Sequence, residues 1–283
     1  MVNIFIGTIM SQINPLQKYF RQPKVFISLP SKGLYYEPGV LVGDYTNVPI
    51  FAMSGMDEII MKTPDALFTG ESTAKVIESC CPYIKNAKLM PGIDIDAILI
   101  AIRIATFGEK MSVTQTCPSC ETENDYEVEL GKLLDYFNNL KFVNNVEVSE
   151  SLSIKIRPLQ YEEMNYFSIE NFKLQKTLYQ SSELNEEDKQ KTLDQIYKDL
   201  SELQLQLFLT SIESVQVEGQ TVIEKQFIEE WLRNADRDTY KMVKTKLETN
   251  KDSWNIPSQP VKCANCEAEN TVTITLDQAN FFA

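Results

Sequence analysis

The chain has 283 residues, 27 Lys+Arg against 40 Asp+Glu, and a net charge of −13; its 43% hydrophobic content is that of a globular chain, not a disordered or fibrous one. The absence of histidine excludes Ser-His-Asp and Cys-His catalysis, His-ligated zinc, histidine proton shuttles and proximal-His haem. The acidic balance disfavours a phosphate-binding face, six cysteines are too few for a disulfide scaffold and fit a cytosolic chain, and no apolar window of about 18 residues predicts a membrane span.

In chain order, residues 1–23 read as an irregular, flexible arm. Its opening, Met1 to Met10, is apolar but has no basic leader region, so a secretory signal is not expected. A start at Met10 would leave the preceding residues outside the fold. Lys24 to Leu29 and Val48 to Phe51 are short strand candidates, separated by the Pro30-Ser31-Lys32-Gly33 turn. Ser54 and Asp57 can cap a first helical turn, and Ser72 opens another run through Cys81. Cys80 and Cys81, adjacent on an apolar helix, read as small buried hydrophobes. The clearest helix follows Pro91-Gly92: Asp94 is its expected cap, and IDAILIAIRIATF runs to Gly108. It is apolar nearly all round, which predicts burial at the centre of the N-terminal domain. Arg103 on this helix should be satisfied by carboxylates or carbonyls, because an unpaired buried charge is costly.

Lys110 to Thr116 and Tyr126 to Leu130 read as paired strands, and Leu152 to Leu159 as a further strand. Helices are predicted over about 161–180 and 186–210. In the second, Leu193, Ile196, Leu200, Leu203 and Leu207 repeat at 3-4-3-4 spacing, the seam of a helix pair. An intramolecular hairpin is favoured over a dimerisation zipper. Residues 212–223 alternate around Glu218-Gly219 as a β-hairpin, and helices at about 225–233 and 236–250 close the region.

The strong motif is a pair of CxxC sequences, Cys117-Pro-Ser-Cys120 and Cys263-Ala-Asn-Cys266. Such a turn presents two thiolates to one metal at about 2.3 Å, and two turns complete a tetrahedral four-cysteine site. An internal repeat supports the pairing. CPSCETEN (117–124) aligns with CANCEAEN (263–270) at an offset of 146, and Tyr126, Val128 and Leu130 align with Val272, Ile274 and Leu276. Each copy is a knuckle followed by a strand with one apolar face, and two copies packed together make a zinc ribbon. In ordinary ribbons about 15–20 residues separate the pairs; here 142 do. One structural Zn2+ per chain would close a very long loop, a constraint of roughly 4–5 kcal/mol in the chain-entropy model.

Three other readings use the same cysteines. A redox CxxC wants a low-pKa thiol at a helix N-terminus, whereas these pairs sit between strands. A rubredoxin-like iron site would use the same four ligands. A catalytic zinc needs an open coordination position, which four thiolates close. Elsewhere there is no GxxxxGK[ST] loop and no GxGxxG. Ser72-Thr-Ala-Lys75 matches SxxK without its KTG and SDN companions. No spacing of carboxylates singles out an acid/base pair, so neither an enzyme nor a small-molecule substrate is expected.

FISLPSKGLYY (26–36), AMSGMDEIIMKTPDALFTG (52–70), VIESCCPYIKN (76–86), DIDAILIAIRIATFG (94–108) and a strand into CPSC follow one another in this order. The series resembles the contractile-tailed phage baseplate protein family of T-even type, whose members are baseplate hub proteins or hub assembly factors. The resemblance covers about residues 25–135, and the matching positions are Leu29 to Gly33, Asp57, Glu58, Asp94, Arg103, Gly108, Cys117 and Cys120. It implies a virus-encoded, non-enzymatic role in tail assembly, as a hub component or hub assembly chaperone. Its partners would be other hub or wedge proteins, met in the host cytoplasm during assembly or in the virion tail baseplate. Two further classes remain open. One is a zinc-ribbon nucleic-acid-binding regulator, against which Glu121, Glu123, Glu267 and Glu269 carry the wrong sign for phosphate. The other is a CxxC thiol oxidoreductase.

The expected fold is α+β. A small mixed N-terminal domain (24–135) carries the first knuckle, an α-rich insertion with a hairpin spans 136–259, and the second knuckle and C-terminal strand (260–283) pack back on the first. The two β-hairpin knuckles together form a zinc-ribbon-like element with four cysteine ligands. The hydrophobics Ile4, Phe5, Ile9, Leu16, Tyr19 and Phe20 of the arm, and the helical insertion, are the expected contact surfaces, since an arm too short to fold alone can order on a partner.

Overall fold

The structure, a computed structural model, describes residues 14–63, 69–183, 185–274, 276, 281 and 282. Ile4, Phe5 and Ile9 of the expected arm lie outside the described residues. After a 3-10 turn (Pro15–Tyr19), strand β1 (Pro23–Ile27) pairs antiparallel with β2 (Val48–Phe51). Helix α1 (Gly55–Met61) starts at a reciprocal capping box: the Asp57 N–H donates to Ser54 Oγ (3.2 Å) and the Ser54 N–H to Asp57 Oδ2 (2.7 Å). Helices α2 (Glu71–Cys80) and α3 (Ile95–Phe107), the ribbon of β3 (Lys110–Thr116) and β4 (Glu123–Glu129), and α4 (Leu130–Asn139) follow.

α3 is the centre of this half, as its composition predicts. Ile98, Ile100, Ala101 and Ile102 are fully buried, with β1, β2, α2 and α4 packed around the helix. Helix α4 is not among the elements predicted from the sequence. Its buried Leu130, Leu133 and Phe137 have helical spacing, but Leu130 also completes the strand alternation before it, and that period hides the change.

A second core lies under a four-stranded antiparallel sheet in the order β5 (Asn145–Ser149), β6 (Leu152–Ile156), β7 (Ile212–Val217), β8 (Gln220–Val222). Helices α5 (Tyr161–Gln180) and α6 (Glu186–Ser211) pack on each other as the seam predicts, with Ile196 buried at its centre. Helices α7 (Lys225–Asn234) and α8 (Arg237–Ser253) supply Ile228, Leu232 and Val243 to this core. The two cores are tied at several points. The Tyr35 ring meets Phe142 edge-on at 5.6 Å, the Gly92 N–H donates to the Leu159 carbonyl (2.8 Å), and the Tyr161 N–H to the Met90 carbonyl (3.0 Å). Buried Asn250 brackets the Val143 peptide, accepting from its N–H (3.3 Å) and donating to its carbonyl (2.7 Å).

Two expectations about α3 are corrected. Asp94 makes no side-chain cap to α3. Fully buried, it accepts instead from the Ser31 N–H (2.7 Å), Ser31 Oγ (2.6 Å) and Tyr36 Oη (2.8 Å), clamping the LPSKGLYY loop. That loop needs a clamp: Lys32 (φ 55°), Gly33 (φ 73°) and Tyr35 (φ 69°) are all left-handed. A Cβ on Gly33 would also sit 2.9 Å from the Tyr45 ring. Among the described residues, no carboxylate or carbonyl meets the buried Nε and Nη1 of Arg103. The guanidinium lies 4.4 Å from the centre of the Phe107 ring. The face of an aromatic one turn away stands in for an anion.

Other expectations resolve structurally. Ser72 of the SxxK match is buried and donates to the Ile60 carbonyl (2.9 Å), while Lys75 faces Glu71. Cys80 and Cys81 are buried, and burial pushes their thiols up to about 12 and about 11. Arg21 fixes the end of the arm, donating to the Ala52 carbonyl (2.5 Å), Asp57 Oδ2 (2.9 Å) and Ser79 Oγ (2.7 Å).

Burial pushes the Asp94 carboxyl up to about 6, against the opposing pull of its Ser31 and Tyr36 donors. The folded state therefore holds this proton more tightly than the unfolded chain. The resulting stabilisation is complete below the unfolded value near 4 and is lost as pH rises through about 6. Lowering the pH from 7.5 to 5 should thus add about 1 kcal/mol through this group. In Asp94→Asn that increment should vanish from paired urea titrations at the two pH values.

Candidate metal centre

Each Cys-X-X-Cys is the connection of a two-stranded ribbon. β3 and β4 run in register from Lys110↔Glu129 to Thr116↔Glu123, with Cys117 to Thr122 between them. β9 (Gln259–Lys262) and β10 (Glu269–Val272) pair from Gln259↔Val272 to Lys262↔Glu269, with Cys263 to Ala268 between them. The sequence repeat is a repeat of backbone geometry. The Cys117 N–H donates to the Thr122 carbonyl (2.9 Å) and the Glu121 N–H to the Cys117 carbonyl (2.9 Å); the corresponding bonds from Cys263 to Ala268 and from Glu267 to Cys263 are both 3.0 Å. Glu121 (φ 56°) and Glu267 (φ 57°) occupy the same left-handed position.

The turns meet although 142 residues separate them. Cys117 Sγ lies 3.7 Å from Cys266 Sγ, and Cys120 Sγ 3.6 Å from Cys263 Sγ. All four sulfurs fall within 4.8 Å of one another. These distances are far longer than a disulfide, about 2.05 Å. They match the edge of a sulfur tetrahedron around an ion at about 2.3 Å, which is about 3.8 Å. The donor set is soft and all-sulfur, which suits zinc and disfavours magnesium or calcium. Cys117 and Cys263 are buried, Cys120 is half-buried and Cys266 exposed, so an ion has a path from solvent. Hydrogen bonding from Thr122, side chain and then backbone, holds the Cys120 thiol down at about 6, and the Ser119 backbone N–H lowers Cys117. The neighbouring thiols, Cys120 first, push Cys266 the other way, up to about 12, against the pull of the Ala268 backbone, so the cluster shares its protons unevenly and Cys120 is the thiol that ionises most readily.

All four cysteines singled out in the sequence are brought together. Three asparagines, to which the sequence reading assigns no role, stand beside them. Asn270 Nδ2 donates to Cys117 Sγ (3.3 Å), Asn124 Nδ2 lies 3.5 Å from Cys263 Sγ, and Asn265 Nδ2 lies 3.7 Å from Cys120 Sγ. A signal exists in the repeat: Asn124 and Asn270 each stand four positions after the second cysteine of a pair. The exposed Glu121, Glu123, Glu267 and Glu269 surround the turns with negative charge.

The architecture is a set of helices joined to paired ribbons that gather four thiols, and no described helix is long and apolar enough to cross a bilayer. The chain belongs to the T4 bacteriophage base plate protein family, whose model matches residues 23–283. The match takes in the α-rich middle and both CxxC pairs, beyond the stretch that carries the resemblance in the sequence. No curated protein and no solved structure matches the chain.

A non-glycine residue in the left-handed region costs about 1–2 kcal/mol. Glu121→Gly and Glu267→Gly should each raise stability, by up to about 1 kcal/mol after the added flexibility of the unfolded glycine is counted. Glu121→Val should lower it by a similar amount. Chemical denaturation at fixed metal concentration measures the three differences.

Proposed function

We propose that this base plate family member is a non-enzymatic hub component or hub assembly chaperone of a contractile tail. It acts through contacts with other hub or wedge proteins and is held together by one structural zinc ion on Cys117, Cys120, Cys263 and Cys266. The supporting observation is the convergence of four free thiols, from two pairs 142 residues apart in a baseplate-family chain, into one tetrahedron-sized cluster. In this reading the two turns are the knuckles of a zinc-ribbon-like element. Residues 24–135 and 260–283 form one body, and 136–259 are inserted between its knuckles. The acidic rim of the turns speaks against nucleic acid as the partner. The chain works in the host cytoplasm during assembly and in the virion tail.

Its docking surfaces are the arm and the α5–α6 hairpin. Leu16, Tyr19 and Phe20 are exposed on the arm, and Tyr166 and Tyr179 on α5, with Tyr197 on α6, are exposed on the hairpin. Aromatic side chains in such positions are the usual anchors of protein interfaces.

Two measurements test this reading. Native mass spectrometry of the full chain should show one zinc, and Cys117→Ser or Cys263→Ser should abolish it and destabilise the fold by several kcal/mol, on the order of the long-loop constraint. A metal-free native mass with four reactive thiols would end the zinc assignment. Deleting residues 1–20, which spares the Arg21 anchor, should reduce co-assembly with other tail proteins in pull-down; unchanged co-assembly would remove the arm from the interface.

A further inference from the structure

Asparagine side chains cross between the two turns; one of them, Asn265, donates from Nδ2 to Thr122 Oγ1 at 3.1 Å. Asn124 and Asn270 are the first inward-facing residues of β4 and β10, at equivalent places in the repeat. Asn270 Nδ2 donates to Cys117 Sγ at 3.3 Å, from the second turn to the first. Asn124 reaches the other way. Its Oδ1 accepts from the Ala264 N–H at 3.0 Å, and its Nδ2 donates to the Thr122 carbonyl at 2.8 Å and faces Cys263 Sγ at 3.5 Å. The Ala264 and Thr122 contacts fix which end of the carboxamide is oxygen. As a thiol, Cys263 lies 3.6 Å from that oxygen; as a thiolate it can only accept from the N–H.

We propose that Asn124 and Asn270 are a crossed pair of positioning residues for the metal site. Each stands on the strand that leaves one turn and presents an amide N–H to a thiolate of the other turn. The inference rests on the metal reading above. Four thiolates around a divalent ion carry a net charge of −2, and the surrounding glutamates make that charge more costly. A neutral donor aimed at sulfur spreads the charge without competing for the ion, and the crossed geometry docks the second turn on the first. Partners of this kind typically change metal affinity by about 10–100-fold when removed.

The test uses the full chain loaded with Co2+, whose four-sulfur complex has a sulfur-to-cobalt charge-transfer band and tetrahedral d–d bands. Asn124→Asp and Asn270→Asp keep the side-chain shape but replace the N–H donor with an oxygen. Each should release cobalt to EDTA about 10–100-fold faster than the unsubstituted chain and move the charge-transfer band to longer wavelength, while Glu123→Gln on the same ribbon should leave the band in place. The band shift reports the sulfur environment, which a purely structural side chain would not alter. If Asn124→Asp does not fold, half-buried Asn270, with its single sulfur contact, carries the comparison alone. Release within twofold of the unsubstituted chain, with an unmoved band, would overturn the positioning role. A chain without substitutions that never develops the four-sulfur spectrum would instead overturn the metal reading, and with it this proposal.

Discussion

The meeting of two Cys-X-X-Cys turns that stand 142 residues apart in the chain is the constraint around which the rest is arranged. Neither two-stranded ribbon has much core of its own. Val128 of the first and Val272 of the second are buried, and Leu130 and Ile274, just past the two ribbons, are buried beside them. Two-stranded hairpins are marginal alone. Bringing them together returns the C-terminal strand to the N-terminal core, where Ile274, Phe281 and Phe282 join the residues around α3. The large helical region between the turns must then leave and re-enter the same body, and the peptide hydrogen bonds linking Gly92 to Leu159 and Tyr161 to Met90 mark one of those crossings.

Much of this is legible in the sequence because the signals are local. The CxxC pairs, the 3-4-3-4 seam of α6, the Glu218-Gly219 hairpin and the apolar run of α3 each declare themselves within a few residues. The turn repeat is more informative still, because matched backbones follow from matched short sequences: Glu121 and Glu267 share a left-handed φ to within a degree. The illegible parts depend on residues far apart in sequence or on overlapping periods. Asp94 looks like a cap from its neighbours, but its partner Ser31 is 63 residues away. Leu130 closes a strand pattern and opens a helical one, which conceals α4. Arg103 reads as a residue that needs an anion, and only the packed structure shows Phe107 in that place.

The N-terminal half places its polar groups with the same economy. Asp57 serves the α1 cap and the Arg21 anchor together, and Asp94 alone secures a loop with three left-handed residues. That loop carries Tyr35 to the boundary between the two cores. A buried carboxyl just before α3 thereby sets the position of an aromatic contact to the helical region, with no catalytic task implied for either group.

The order of the cysteines also bears on biogenesis. At translation speeds of about 5–20 residues per second, Cys263 follows Cys117 from the ribosome after roughly 7–30 s. Throughout that interval the first pair has only half of the four-sulfur cluster, and the helices in between emerge and can collapse before the second pair arrives. Under the proposed metal reading, capture by all four sulfurs is a late event in the life of the nascent polypeptide, one that closes after the intervening helices have emerged.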